Sequence, residues 1–319
     1  MVDNISDITA DDLASALTGD PGTLDVHLAL IERDVLIDGH LVKIHCHCLT
    51  VDGNGKVQPR RLAEFMRNAV ADYAIPRTKL AKAKERDRKY NSTEAVVGLL
   101  EEARRSFTDL AKTGEGGEML LFLLAERFLG LPQILCKMDL KTDARLHYHG
   151  ADGVYAGITD DGFLKLYWGE SKIYKTASEA IKECLASLSP FLIEPDHEEA
   201  ERERDLILLS DKADLNDPKL TDALKRYFDK NSVMSNRKRY CGVALVGFDA
   251  AFYPGEGAKG VADDIAVAAR TELEKWKERV SSRLTEEKLE QIEIELFCLP
   301  LPSADGFRDA FLSAMGLKL

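Results

Sequence analysis

The sequence lacks any hydrophobic run long enough to cross a membrane. Its longest uninterrupted apolar run, Met119 to Ala125, has 7 residues, whereas a transmembrane helix needs about 20. Residues 1–13 are acidic and contain no apolar core, so they do not resemble a signal peptide. These absences predict a soluble, cytoplasmic protein that does not associate with membranes.

Cysteine is scarce, and the common nucleotide-binding motifs are missing. Six cysteines in 319 residues, at irregular spacing, are too few for a disulfide framework, so we expect reduced thiols. The sequence contains no Walker A pattern, no nucleophile elbow and no dinucleotide-binding glycine pattern. We therefore expect no nucleotide cofactor and no ATP site in this chain.

The charge is negative overall but uneven along the chain. The net charge of −12 argues against a protein that binds nucleic acid with its whole surface. Residues 76–90 and 225–240 nevertheless each carry a charge of +5, and residues 194–205 between them carry −5. Each run has two interpretations: an ordinary solvated surface, or, for the basic runs, an arm that contacts phosphates.

Periodicity and turn residues predict a mixture of helices and strands. The predicted strands span residues 26–37, 41–51, 133–140, 153–158, 163–168, 242–248 and 292–299. The predicted helices span residues 60–74, 93–110, 118–129, 177–188, 198–209, 219–228, 261–283 and 307–315. This order predicts an α/β (α+β) fold with one central mixed sheet flanked by helices. We divide the chain into an N-terminal hairpin and helical region, residues 1–112, and a core, residues 113–319, with a helical insertion at about 190–235 and a C-terminal part that completes the sheet.

A predicted hairpin around Asp160-Asp161-Gly162 brings two acidic residues together. If the turn is centred on Asp161, the sheet face that is apolar for three successive pairs ends with Asp152 opposite Glu170. Lys172 projects to the same side as Glu170. Two carboxylates about 5 Å apart repel each other and are costly to bury, and a divalent cation such as Mg²⁺ relieves both costs. The alternative is that the strand ends simply emerge into water.

A third acid lies on the apolar helix upstream of this hairpin. Glu118 occupies the first turn of this helix. Its carboxylate either interacts favourably with the helix dipole or reaches a metal ion from a helix packed on the sheet. Glu115 is the alternative helix acid, and Glu118 is preferred because it lies inside the buried segment.

The order of a helix acid, a strand acid and Glu-x-Lys on the next strand resembles the PD-(D/E)xK nuclease core, an α-β-β-β-α-β unit. The segments GEGGEMLLFLLAERFLGLPQILCKMDLKT, HYHGADGVYAG and LKLYWGESKIYKT are similar to the DUF1837 family, which includes the HamA nuclease effectors of the Hachiman anti-phage defence system. These motifs cover roughly residues 114–183.

The resemblance implies a restriction-endonuclease-like core and a DNA nuclease that uses Mg²⁺ or Mn²⁺ to hydrolyse phosphodiesters. It also implies a HamB-like helicase partner that restrains or directs the nuclease. Asp152 and Glu170 would bind the metal, Glu118 would bind it or orient a ligand, and Lys172 would act on the attacking water and the phosphate charge. One departure is that Asp152 follows Gly150-Ala151 rather than a proline.

The basic residues supply candidate contacts to DNA phosphates, with an ordinary solvated surface as the alternative. They are Lys175, Lys182, Arg77, Lys79, Lys82, Lys84, Arg237, Lys238 and Arg239.

Other interpretations remain open at the level of sequence. The chain could be a non-catalytic subunit that uses the same fold to bind DNA or a helicase, or a nuclease that acts on RNA. His147 and His149, just before Asp152, are candidate substrate contacts. His45-Cys46-His47-Cys48 suggests a zinc site, but alternate residues of a strand point to opposite faces, so we expect ordinary strand packing there.

Overall fold

The computed structural model describes residues 8–107, 114–138, 150–193, 201–255 and 258–317. The strands are β1 (Leu28–Leu36), β2 (Val42–Leu49), β3 (Gln133–Leu135), β4 (Gly153–Ile158), β5 (Leu164–Tyr174), β6 (Lys238–Asp249) and β7 (Ile294–Leu301). The helices are α1 (Ala10–Ser15), α2 (Pro59–Asn68), α3 (Val70–Ala74), α4 (Arg77–Tyr90), α5 (Glu94–Arg105), α6 (Glu115–Arg127), α7 (Ala177–Leu192), α8 (Glu201–Lys212), α9 (Pro218–Lys225), α10 (Ala262–Glu286) and α11 (Ala304–Met315). Across these ranges, no helix combines the length and the apolarity needed to span a bilayer.

The seven strands form one mixed sheet in the order β1-β2-β7-β6-β5-β4-β3. The three central neighbours β7, β6 and β5 run parallel, and β2 also pairs in parallel with β7. Antiparallel hairpins close both edges. The predicted central mixed sheet flanked by helices is therefore confirmed. The N-terminal hairpin joins this sheet beside β7, so residues 1–112 contribute strands to the same core as residues 113–319.

Helices cover both faces of the sheet. A Cβ atom placed on Gly169 of β5 would lie 3.1 Å from Leu121 of α6, so α6 covers the face to which the odd-numbered residues of β5 point. A Cβ atom placed on Gly242 of β6 would lie 2.9 Å from Leu188 of α7, so α7 covers the opposite face. Because α6 is buried on nearly every side, it is the central helix of its layer.

The structure corrects several predicted boundaries. The predicted strand at 133–140 ends at Leu135. β5 continues to Tyr174, well past the predicted end at Trp168, because it pairs with β6 over its whole length after β4 has ended. The predicted helix at 60–74 is two helices, which meet at Ala69. The basic run at 76–90 forms α4, which ends at Asn91 in the left-handed conformation.

Candidate active site

The end of the β4–β5 hairpin places Asp152 beside Glu170. The predicted register is confirmed, since Ile158 pairs with Leu164 and the last pair of the ladder is Gly153 with Gly169. Beyond that pair, the amide of Asp152 donates to the carbonyl of Gly169 at 2.8 Å. The two acids therefore leave the ladder side by side, and both are buried.

Asp152 lies at the edge of β5 that is unpaired beyond the end of β4. Its Oδ2 accepts hydrogen bonds from the amide of Ser171 at 2.8 Å and from the Ser171 hydroxyl at 2.9 Å. Because β4 has ended by this point, the Ser171 amide has no strand partner on that side, and the Asp152 carboxylate takes the place of one. These two bonds fix the orientation of the carboxylate.

Glu170 and Lys172 point to the α7 face of the sheet. They pair in register with Ala244 and Val246, which share a face with Gly242. The Nζ atom of Lys172 forms an ion pair with Oε1 of Glu170. Burial and the neighbouring charge of Asp152 raise the pKa of Glu170 to about 7, in spite of this lysine. Burial alone lowers the pKa of Lys172, but the pairing with Glu170 raises it above the usual value.

Glu118 lies on the sheet face that α6 covers, opposite to the face of Glu170 and Lys172. It belongs to α6, and Tyr73 donates a hydrogen bond from its hydroxyl to Oε2 of Glu118 at 3.3 Å. Burial and the charge of Glu118 raise the pKa of Tyr73, so its hydroxyl stays protonated. Asp152, at the strand edge, and Glu118 line a common cleft. Among the described residues, a single group of three or more His, Cys, Asp or Glu side chains has its ligand atoms within 4.8 Å of one another. Glu118, Asp152 and Glu170 are not that group.

Lys137 is a member of this cluster that the sequence interpretation missed. Its Nζ atom lies 3.5 Å from Oδ1 of Asp152, and its side chain is 10% exposed. Burial acts to lower the pKa of Lys137, but the charges of Glu118, Asp152 and Glu170 raise it. The available signal was a lysine that interrupts the apolar residues Ile134 to Met138.

A cleft of about 300 Å³ opens beside this cluster, and Glu170 and Lys137 are not among its lining residues. Its walls come from the start of α6, the last residues of β5 and one side of α11. Glu118, Asp152 and Lys172 line it, and Arg308 lies on the α11 wall. Glu115 is buried and does not line the cleft, which favours Glu118 as the helix acid.

The predicted phosphate contacts fall into different environments, and Arg77 is not available for that role. Its side chain is 10% exposed, pairs with Glu126, and donates to the carbonyl of Gln133 at 3.2 Å. On the same helix, Lys82 and Lys84 are exposed, and Lys79 pairs with Glu102 at 2.5 Å.

The second basic run lies at the far end of β5 from the acids. Lys238 pairs in register with Leu164, six residues before Glu170, which corresponds to about 20 Å along the strand. Lys238 donates to the Tyr227 carbonyl at 2.6 Å, and Arg237 and Arg239 lie over the ring of Phe163. These residues cannot contact a phosphate held by Asp152 and Glu170.

The remaining two lysines are on the surface. Lys175 is exposed near the cleft and pairs with Asp305 at 3.0 Å. Lys182 is exposed on α7 and lies 3.4 Å from Glu183.

The alternation predicted for His45-Cys46-His47-Cys48 is confirmed. The rings of His45 and His47 contact Phe128 and Phe297 on one face, and the two cysteines interact on the other.

His45 also belongs to the set of ligand atoms that lies within 4.8 Å, together with Asp34 and Glu295. Its Nε2 bonds Glu295 at 2.7 Å, and Lys43 lies 3.5 Å from the same carboxylate. This set is therefore an ion-pair cluster that already holds a cationic side chain. The candidate contacts His147 and His149 lie outside the described residues.

Comparison with protein families accounts for nearly the whole chain. The sequence model of the HamA family matches residues 25–315. The chain belongs to the HamA family. A search of curated proteins gave no match. The HamA match includes β1–β7 and every side chain of the candidate site, so the family assignment covers the hairpin, the cleft and α11 alike.

Proposed function

We propose that this HamA-family chain is a metal-dependent DNA nuclease, the effector of a Hachiman anti-phage defence system, and that a HamB-like helicase restrains or directs it. The observation that carries the proposal is the convergence of Asp152 and Glu170 with Lys172 at the end of one hairpin, beneath a cleft. This agrees with the order of residues in a PD-(D/E)xK core. The family assignment supports the role in defence.

The donor set fits a hard divalent cation. Asp152 and Glu170 offer buried carboxylate oxygens, and Glu118 offers another from the opposite face, which suits Mg²⁺ or Mn²⁺. Burial, and then the charge of Asp152, raise the pKa of Glu170, so its ionised form is disfavoured in the metal-free protein. A bound cation would favour the ionised form. When bound, such a cation polarises a phosphate oxygen and lowers the pKa of a bound water.

The chain's own residues then have distinct tasks. Asp152 and Glu170 hold the cation, and the two bonds from Ser171 keep Asp152 in place. Lys172 places an ammonium group where charge develops on the phosphate, and Glu170 keeps it protonated. Glu118, held by Tyr73, binds the cation or orients a ligand. Translocation along DNA belongs to the helicase, because this sequence has no Walker A motif.

The test is a cleavage assay with supercoiled plasmid, single-stranded DNA and RNA in Mg²⁺, Mn²⁺ or EDTA. The variants are Asp152→Asn and Glu170→Gln, with Asp222→Asn on α9, exposed and outside the cleft, as the matched control. We expect metal-dependent cleavage of DNA that both site variants abolish and the control retains. Cleavage of RNA but not of DNA would show that the substrate is RNA. Intact DNA under every condition, with DNA or helicase binding retained, would instead favour the non-catalytic subunit.

The restraint by a partner needs a separate comparison. The same assay is run with the chain alone and with the purified HamB-like helicase, with and without ATP. We expect the helicase to suppress cleavage until it engages DNA. Equal cleavage rates in all arms would refute the restraint while leaving the nuclease assignment intact.

A further inference from the structure

Lys137 lies outside the Glu-x-Lys pattern but points at the acids of the candidate site. Its Nζ atom is 3.5 Å from Oδ1 of Asp152 and 3.4 Å from the carbonyl of Gly150. The side chain is 10% exposed, so its ammonium is held among protein groups rather than in water. A buried lysine is retained at a cost in desolvation, which raises the question of what it contributes here.

The net charge of the cluster accounts for the presence of Lys137. When ionised, Glu118, Asp152 and Glu170 together carry three negative charges, and Lys137 and Lys172 carry two positive charges. The five groups therefore sum to −1. Arg308, on the opposite wall of the cleft, is already paired with Asp305 at 2.8 Å. A site with this sum attracts a cation and repels the single negative charge of a phosphodiester.

Binding of a divalent cation reverses the sign. The sum becomes +1, which the phosphodiester's −1 neutralises. Without Lys137, the cation-loaded site sums to zero and loses its attraction for the phosphate. Lys172, which forms an ion pair with Glu170, supplies one of the two positive charges of the cluster, and Lys137 supplies the other.

We propose that Lys137 supplies, from beside Asp152, part of the positive charge that attracts the scissile phosphate, and that it makes the cleft receptive to DNA only after the cation has bound. The proposal rests on the function proposed above and adds an order of binding, cation first and DNA second. It assigns Lys137 a role toward the substrate, whereas a purely structural counterion of Asp152 would serve only the protein.

The test compares DNA affinity with and without a cation. A fluorescently labelled DNA duplex is titrated in EDTA and in Ca²⁺, and gels verify that the DNA stays intact. Affinity is measured by anisotropy for the wild type, Lys137→Met, Lys137→Gln, Lys137→Arg and the surface control Lys275→Met, at an exposed position of α10. The ratio of the two affinities isolates this cleft, because the surface basic residues contact DNA with or without Ca²⁺. Calorimetry measures the affinity for Ca²⁺ itself.

We expect Ca²⁺ to tighten DNA binding about 10-fold in the wild type and in Lys275→Met, in line with one charge-assisted interaction. Lys137→Met and Lys137→Gln should lose this gain while binding Ca²⁺ at least as tightly as the wild type, and Lys137→Arg should keep most of it. An unchanged gain in both neutral variants overturns the proposal. So does weaker Ca²⁺ binding or loss of folding in both of them, because Lys137 would then be structural. Absence of Ca²⁺ binding by the wild type would instead refute the metal site on which the proposed function depends.

Discussion

The affinity of the candidate site for Mn²⁺ should depend strongly on pH, because of Glu170. In the metal-free protein, burial and the charge of Asp152 raise the pKa of this carboxyl group to about 7. A proton and a cation compete for the same oxygen atoms, so Mn²⁺ binds the ionised form. Below the pKa, each unit of pH therefore weakens the apparent affinity about tenfold, and above it the affinity levels off. Between pH 8 and pH 5.5 the apparent Kd should rise about 30-fold.

Isothermal titration calorimetry can measure this directly. Titrations at pH 5.5, 6.5, 7.5 and 8 give the apparent Kd, and repeating each in two buffers of different ionisation enthalpy gives the number of protons released. We expect almost one proton per Mn²⁺ at pH 5.5 and almost none at pH 8. Glu170→Gln should bind weakly and show little dependence on pH over this range. A flat profile for the wild type, with normal affinity, would refute the reasoning that Glu170 is a ligand held near its own pKa.

Three further predictions concern packing and the basic helix. Arg77→Gln should lower the free energy of unfolding by about 3 kcal/mol, because it breaks a buried ion pair. Lys82→Gln should change this free energy by less than about 0.5 kcal/mol. Urea titration compares the two variants, and equal effects would contradict the burial of Arg77. Gly169→Ala should cost about 1–3 kcal/mol, since the added Cβ would lie 2.9 Å from the ring of Tyr155, and an unchanged midpoint of thermal unfolding would show that the ring moves freely. Replacing Lys82 and Lys84 together by Gln should reduce the salt dependence of DNA binding by about two phosphate contacts, and an unchanged slope would show that α4 does not touch DNA.

The pairing of Asp152 with Glu170 could be predicted because it depends on local rules. A turn at Asp161 fixes the register, and strict alternation then decides which residues share a face. The relative positions of the two acids and Lys172 could be predicted without knowing how distant elements pack. The same rules predicted the opposite orientation of His45 and Cys46.

The surroundings of these acids could not be predicted, because distant parts of the chain build them. Lys137 follows a short strand that ends earlier than its apolar pattern suggests, and only the packing of β3 beside β4 brings it to Asp152. Arg77 belongs to a basic run, but its contacts with Glu126 and Gln133 depend on how α4 meets α6 and β3. The sequence predicts Glu118 on a helix packed on the sheet, but the face that this helix covers follows from the layer that α6 occupies.

The most direct test of the central claim is the single-turnover rate of DNA cleavage by Lys172→Met beside Lys165→Met. Both lysines lie on β5, but Lys165 pairs with Glu293 at 2.6 Å near the start of the strand, away from the cleft. The account predicts that Lys172→Met cleaves about 100-fold more slowly or not at all, with Mn²⁺ still bound, and that Lys165→Met cleaves at a rate close to that of the wild type. Equal rates for Lys172→Met and the wild type would contradict the claim that the end of this hairpin is the site of hydrolysis.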